Sequence, residues 1–375
     1  MTQADAPWAP ADGEPPAPEV PPAPEVRPTA EVPPVAGVAP VSTVPPTARR
    51  RLLERARERW GRDHRGSGPW RRGWVSAALA VLTALLLALH RQVPNDYGNV
   101  GSLLETFLPW LGLAVPLLLV AALLRRSATA LVALLLPVVV WVNLFGGLLG
   151  DKSSGKGDFT VLTHNVAAAN TDPAATARLV AGSGAQIVAL EELTGSALPL
   201  YTAGLAAAYP YHVVEGTVGL WSKYPISDTR VVDIRIGWTR AFRSQVTTPQ
   251  GPLAVYVAHL PSVRVKFDSG FTAGQRDVSA QALGDAVQAE PLRKVLLLGD
   301  LNGTMNDRSL APVTSQLRSA QGTAGSGFGF SWPADFPMAR IDQIMSRGLK
   351  PTDSWVLAAD GSDHRAIAAG FRYNR

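Results

Sequence analysis

Six places in the chain set an acid, an amide or an imidazole at the end of a short apolar run. Asn165 follows Phe159–Thr163, Glu192 follows Ile187–Leu190, and His259 follows Leu253–Ala258. Gly299-Asp300-Leu301-Asn302 follows Val295–Leu298. Asp342 lies in Arg340-Ile341-Asp342-Gln343-Ile344, and Asp363-His364 precedes Ala366–Phe371. Such runs read as buried strands. Asp and Asn are disfavoured inside strands, so their recurrence at strand ends needs a cause. Alone, Asp300 and Asn302 read as a turn. Together, the strand ends read as one site along one edge of the sheets. Carboxylates and carboxamides dominate this set, with two imidazoles beside them. Hard oxygen donors suit Mg²⁺ or Mn²⁺ better than zinc. Histidines next to such an ion transfer protons or stabilise a phosphoryl transition state. The chemistry is metal-assisted phosphoester hydrolysis. A serine elbow, a glycine-rich phosphate loop and a His-Glu-x-x-His helix are all missing from the sequence.

The elements that must position these residues fill 158–375. Further strand-like runs lie at Val218–Trp221, Val231–Ile236 and Ile341–Met345. Pro173 to Ser183 reads as a helix, with Asp172 as N-cap and proline at its first position. Asp277 to Ala289 reads as another. Many strands with a few helices in about 218 residues predict an α/β (α+β) sandwich.

The ordered motifs carry a resemblance. Asn165, Glu192, Gly219-Leu220-Trp221-Ser222-Lys223-Tyr224-Pro225-Ile226, His259-Leu260, Gly299-Asp300-Leu301-Asn302, Arg340-Ile341-Asp342 and Ser362-Asp363-His364 are similar to the endonuclease/exonuclease/phosphatase superfamily. That resemblance implies a four-layer αββα sandwich. It implies Mg²⁺ (or Mn²⁺) ligation by Glu192, with Asn165 close by and Asp363 as a second carboxylate. It further implies that Asp300 activates water and that Asn302 holds a phosphoryl oxygen. His259 would stand by the leaving group as acid or phosphate clamp. His364 would contact the phosphate, with Asp342 fixing its tautomer. Two departures are visible. Glu191 stands where many relatives have Gln, and the period of a strand predicts that it is a neighbour of Glu192 facing away from the site. Ala366 stands where proline is usual. Arg240, Arg243, Arg264 and Lys266 read as a phosphate-facing set or as solvated charge. His164 and His212 read as structural, and Arg276 and Gln281 as helix residues.

The rest of the chain is organised differently. Residues 1–48 hold Pro-Pro-Ala-Pro-Glu-Val twice in tandem and read as a disordered proline-rich tail, a spacer or a ligand for a cytoplasmic partner. Residues 49–72 carry ten Arg against Glu54, Glu58 and Asp63. Residues 73–150 contain three apolar stretches, Trp74–Leu89, Phe107–Leu124 and Ala128–Leu149, which predict three transmembrane helices. Residues 151–157 form a polar linker. The basic segment and Arg125-Arg126 predict a cytoplasmic N-terminus and an extracytoplasmic 158–375 in a multi-pass membrane protein.

The charge of +5 is therefore local, since 158–375 holds 19 basic against 18 acidic residues. A near-neutral domain argues against tight duplex binding. With no cysteine, thiolate metal sites and disulfides are excluded. Three spans before such a domain resemble actinobacterial membrane proteins associated with glycopeptide (vancomycin or teicoplanin) resistance. That resemblance implies a membrane lipid or lipid-linked phosphate as substrate. A tethered extracellular nuclease and a non-catalytic membrane binding module are the alternatives.

Overall fold

In the computed structural model, residues 51, 54, 55, 68, 70–266 and 270–373 are described. The proline-rich tail and most of the basic segment lie outside them.

Two six-stranded sheets and a two-stranded sheet of β8 (Val265–Lys266) and β9 (Gly270–Phe271) form the domain. The first contains β1 (Phe159–Asn165), β2 (Ile187–Glu191), β3 (Tyr211–Glu215), β4 (Val218–Ser222), β13 (Leu349–Val356) and β14 (Ile367–Tyr373), in the order β13-β14-β1-β2-β4-β3. The second contains β5 (Ile226–Val231), β6 (Ala241–Thr248), β7 (Gly251–Ala258), β10 (Val295–Asp300), β11 (Arg318–Ser319) and β12 (Asp342–Arg347), in the order β11-β12-β10-β7-β6-β5. Each six-stranded sheet has one parallel pair, β1 with β2 and β10 with β7. The remaining pairs in both sheets are antiparallel.

The layers follow from alternation along the strands. Val161, Ile187, Ala189, Val255, Val257, Leu296, Leu298 and Ile344 point between the sheets and form the central core. Their neighbours Leu162, Val188 and Leu190 point outward, where Ala177 and Val180 of a helix over Pro173–Gly182 and Tyr201 and Leu205 of a helix over Leu198–Leu205 cover them. Ala254, Tyr256 and Leu297 point outward from the second sheet, under Ala280, Leu283 and Val287 of the helix Gly274–Gln288. The result is the αββα layering. Asp172 caps the first of these helices, accepting from the Ala175 amide at 2.9 Å.

The apolar N-terminal region is helical: α1 (Trp74–Ala88), α2 (Val100–Thr106), α3 (Ala114–Leu124), α4 (Ala128–Ala133) and α5 (Leu135–Leu149). It departs from three straight spans. α4 and α5 run as one helix, Ala128–Leu149, of 22 residues and mean hydropathy 2.3. Among the described residues, this is the one single helix long and apolar enough to cross a membrane. α1 has 15 residues, a rise of about 22 Å against a hydrocarbon core of about 30 Å. The second stretch, Phe107–Leu124, is helical over Leu108–Leu124 and meets α2 at a bend of 73°. Pro109 contributes there, because it has no N–H for a continuous helix. The segment Leu108–Leu113 is 3₁₀-helical.

These helices pack on the domain. Phe271 N donates to Gly98 O at 2.7 Å, and Asn99 Nδ2 donates to Phe271 O at 2.6 Å. Gly98 and Gly270 both have positive φ, and a Cβ on Gly270 would lie 2.4 Å from the Gly98 Cα. Only glycine allows that approach. Trp110 Nε1 donates to Met338 O at 2.8 Å, and its ring stacks on Phe330 with centroids 5.8 Å apart.

Candidate active site

Period-two alternation continues past the core and delivers the polar residues to one place. The inward series Val161, Thr163 on β1 ends in Asn165. On β7, Val255 and Val257 lead to His259 one residue past the strand. On β10, Leu296 and Leu298 lead to Asp300, and on β12 Ile344 is preceded by Asp342. Parallel pairing sends β1, β2, β7 and β10 to the same edge, and the antiparallel β12 and β14 begin there. A slip of one residue would turn Asp300 out of the cleft.

Gly299 makes the close pass possible. Its φ is 145°, and a Cβ there would sit 1.9 Å from Ala258 O. No other residue fits between β10 and β7 at that point.

Asp300 is the hub. Its Oδ1 accepts from the Asn302 amide at 2.8 Å, and its Oδ2 accepts from Asn165 Nδ2 and from Asn302 Nδ2, each at 3.1 Å. His259 Nε2 and His364 Nε2 lie 3.6 Å and 3.8 Å from Oδ2. Burial, and then repulsion from Asp342, push the Asp300 carboxyl up to about 7. Asp342 Oδ2 accepts from Ser331 Oγ at 2.5 Å and lies 3.0 Å from His364 Nδ1. Burial alone would raise Asp342, but the imidazole of His364 and the two hydrogen bonds bring it below its ordinary value. At His364 burial opposes the charged ring, and the Asp342 and Asp300 carboxylates outweigh it, pushing it up to about 10. His364 is therefore an imidazolium at neutral pH. His259 is the opposite. Burial, with Arg240 and His364 nearby, holds it well below 6.5, so it is neutral.

Asn302 Nδ2 also donates to Leu260 O at 2.9 Å. Both of its amide hydrogens are thus spent inside the protein, and in this structure the side chain orients Asp300. The phosphoryl contact implied by the resemblance requires one of them to be released.

Glu191 does not face away from the site. Glu191 is the inward residue, continuing Ile187 and Ala189, with Thr163 Oγ1 donating to its Oε1 at 2.8 Å. Its Oε2 is buried without a hydrogen-bond partner. Burial holds its carboxyl well above 4.5, reinforced by Asp342 and Asp300. Glu192 reaches the cleft another way: its φ of 63° turns the chain out of the strand. Its Oε2 accepts from Ala168 N at 2.9 Å, and its Oε1 lies 3.7 Å from His259 Nε2.

Glu192, Asp300, Asn302, Asp363 and His364 line one cleft of about 450 Å³. Asp300, Asp342 and His364 place one ligand atom each within 4.8 Å of one another. Asp342 and His364 are bonded to each other, however, and act as a pair. The carboxylates turned to the open cleft are Glu192 and Asp363, with Asn165 beside Asp300. Such oxygen donors fit a hard divalent cation.

Two residues were undervalued by sequence. Arg240, weighed against surface charge, is buried with its guanidinium against both ring nitrogens of His259. Arg276, read as a helix residue, is fully buried. Its Nη1 donates to Asn302 O at 2.8 Å and its Nη2 pairs with Asp307 at 2.6 Å. Arginine in a predicted helix two residues after Gly274 carried no local signal of this. Arg243 does not join the site: it pairs with Glu290 and Asp228. His164 binds Asp360 at 2.9 Å and His212 stacks on Trp221, both as structural residues.

Residues 162–364 match the model of the Endonuclease/Exonuclease/phosphatase family. The chain belongs to this family. Its members are typically hydrolases of phosphoesters, generally dependent on a divalent metal. No curated protein matches in a sequence search. Solved structures similar to this chain include D. rerio TDP2 complexed with single strand DNA product, at 17% identity, covering 57% of this chain and 98% of that one, with TM-score 0.49. Staphylococcus aureus beta toxin with bound magnesium ions is 17% identical, covers 58% of this chain and 100% of that one, and has TM-score 0.43. A functionally unknown conserved protein from Enterococcus faecalis V583 is 15% identical, covers 57% and 100%, and has TM-score 0.49.

Proposed function

We propose that the chain is a membrane-anchored, divalent-metal-dependent hydrolase of a lipid-linked phosphoester in the cell envelope. The observation that carries this reading is the composition of the cleft wall. Thr106 and Phe107, at the bend of the apolar helices, line the same cleft as Asp300 and His364. A site walled by such helices works at the surface in which they sit.

Asp300 takes the proton of the attacking water, with its affinity raised to the range where a base is half loaded near neutrality. Asn165 and Asn302 hold its oxygens in place for that step. The Nε2–H of the His364 imidazolium donates to a phosphoryl oxygen, and Asp342 fixes the ring from behind. Neutral His259, backed by Arg240, donates a hydrogen bond near the leaving group. Glu192, Asn165 and Asp363 are the residues that would hold a Mg²⁺ (or Mn²⁺) ion, and such an ion would supply Lewis-acid polarisation of a phosphoryl oxygen and offset developing charge.

The arginine-rich segment before the apolar helices and Arg125-Arg126 support a cytoplasmic N-terminus and an extracytoplasmic domain. A three-span anchor, the proline-rich tail as a partner ligand, and a role in glycopeptide resistance belong to the same reading, supported by the sequence resemblance.

The test uses the full chain in detergent with Mg²⁺, offered alkyl phosphates, phospholipids and plasmid DNA. Phosphoester turnover on the lipids, lost in Asp300→Ala and His364→Ala, is expected. Plasmid cleavage without lipid turnover would make it a tethered nuclease. Full activity in either variant would overturn the mechanism.

A further inference from the structure

Three cavities adjoin through shared lining residues, from the catalytic cleft to the apolar helices. The cleft shares Thr106 with a cavity of about 150 Å³ that also touches Met305 and Arg340. That cavity shares Pro109, Phe328 and Phe330 with a third, of about 450 Å³. The third is walled by α3 and α5 on one side, through Val115, Val138 and Val142, and by Phe328 and Phe330 of the catalytic domain on the other. No charged residue lines it. Its two indoles have their N–H groups engaged, Trp110 to Met338 O and Trp141 to Pro109 O at 2.9 Å, so they offer only carbon to the space. Phe328 packs on Phe330 and Phe145, with centroids 5.1 Å and 5.8 Å apart, which fixes the far wall. Leu113 and Val142, at its mouth, are 55% and 51% exposed on the apolar outer face of the helices.

We propose that this third cavity binds the hydrocarbon chain of the phosphoester whose phosphate lies at Asp300 and His364. The inference rests on the hydrolase reading and adds the place and the chemistry of the tail. A dry, carbon-lined space offers water no partners, while each methylene that leaves water for it contributes about a fourfold gain in binding. The mouth among exposed apolar side chains admits a chain sideways from a bilayer. The intermediate cavity carries the connection to the phosphate past Arg340. A single-chain or isoprenoid-type phosphoester fits this path; nucleic acid has no part to place in the third cavity.

The experiment has a binding arm and a rate arm, both on the full chain in one detergent. Hexadecyl phosphate bearing a terminal diazirine is photolysed with the protein and the adducts are mapped by mass spectrometry. Adducts on residues 109–116, 138–142 and 328–330 are expected, and Val142→Trp reduces them severalfold. Turnover is then compared for ethyl and hexadecyl phosphates and for ethyl and hexadecyl p-nitrophenyl phosphates. Val142→Trp lowers the hexadecyl-to-ethyl ratio of kcat/KM at least tenfold. Val139→Trp, on the same helix but outside the cavity and 64% exposed, leaves the ratio at its wild-type value. Adducts at the named segments without turnover of any ester would uphold the tail site and remove the hydrolase reading. Turnover with an unchanged ratio in Val142→Trp and adducts elsewhere would remove the tail site alone.

Discussion

Arg276 offers a way to separate the stability of the fold from the positioning of the site. It is fully buried, pairs with the fully buried side chain of Asp307 at 2.6 Å, and donates to the backbone carbonyl of Asn302 at 2.8 Å. Arg276→Met removes the cation and leaves Asp307 a buried, unpaired carboxylate. Breaking one side of a buried pair costs about 3–5 kcal/mol. At roughly 2–4 °C per kcal/mol for a domain of this size, the melting temperature falls by about 6–20 °C. Asp307→Asn added to that variant removes the stranded charge and keeps the acceptor for the Ser309 amide, at 3.0 Å in the wild type. Most of the melting temperature returns. Activity does not, because the Asn302 carbonyl still lacks its donor. A hydrogen bond to a charged group is worth about 1.5–3 kcal/mol, which corresponds to a loss of roughly 10–150-fold in kcat/KM if the placement of Asn302 depends on it. Thermal melts and hydrolysis rates of the wild type, the single and the double variant measure both quantities. Recovery of rate together with stability in the double variant would show that Arg276 acts on the fold alone.

Asp342→Asn takes away the carboxylate that most strongly raises His364. The imidazole titration followed by NMR is expected to fall below about 10, with Asp300 still raising it. The native group's contribution to stability is complete below 6.5 and is lost as pH rises through about 10, so the variant loses rate and stability on the alkaline side earlier than the wild type. Glu191→Gln keeps the acceptor for Thr163 and removes a carboxyl that burial holds well above 4.5. A raised acid stabilises the fold below its unfolded value and costs stability above it, so the variant's gain in melting temperature grows as pH rises above 4.5 and is absent below. A constant difference across pH would show that Glu191 is ionised in the fold. Chelation of divalent ions is expected to stop hydrolysis, with Mg²⁺ or Mn²⁺ restoring it in the wild type but poorly in Glu192→Ala; undiminished turnover in chelator contradicts the metal assignment.

The strands that carry Asn165, Asp300 and Asp342 were legible because a two-residue period survives in sequence and needs no knowledge of distant partners. The same rule misled at Glu191 and Glu192. Period two is a statement about strands, and the left-handed φ at Glu192 takes that residue out of one. Arg240 and Arg276 were illegible for another reason. Their partners, His259 and Asp307, are separated from them by 19 and 31 positions, and nothing near either arginine in the chain distinguishes a buried cation from a solvated one. The apolar stretches were visible, but the bend at Phe107, its contact with the cleft and the meeting of Gly98 with Gly270 involve residues far apart in the chain, which pattern alone does not disclose.

That glycine-to-glycine contact has a practical consequence. A fragment beginning at residue 158 is the natural object for crystallisation and for screening inhibitors. It would lack Thr106 and Phe107, leave Phe271 (7% exposed in the intact chain) without its cover, and strip the ring of Trp110 from Phe330. The fragment keeps Asp300, His364 and Glu192, so it can remain chemically competent on small esters. Its cleft, however, lacks the part of the wall that Thr106 and Phe107 supply, and compounds selected against it would be fitted to a surface that the intact chain does not present.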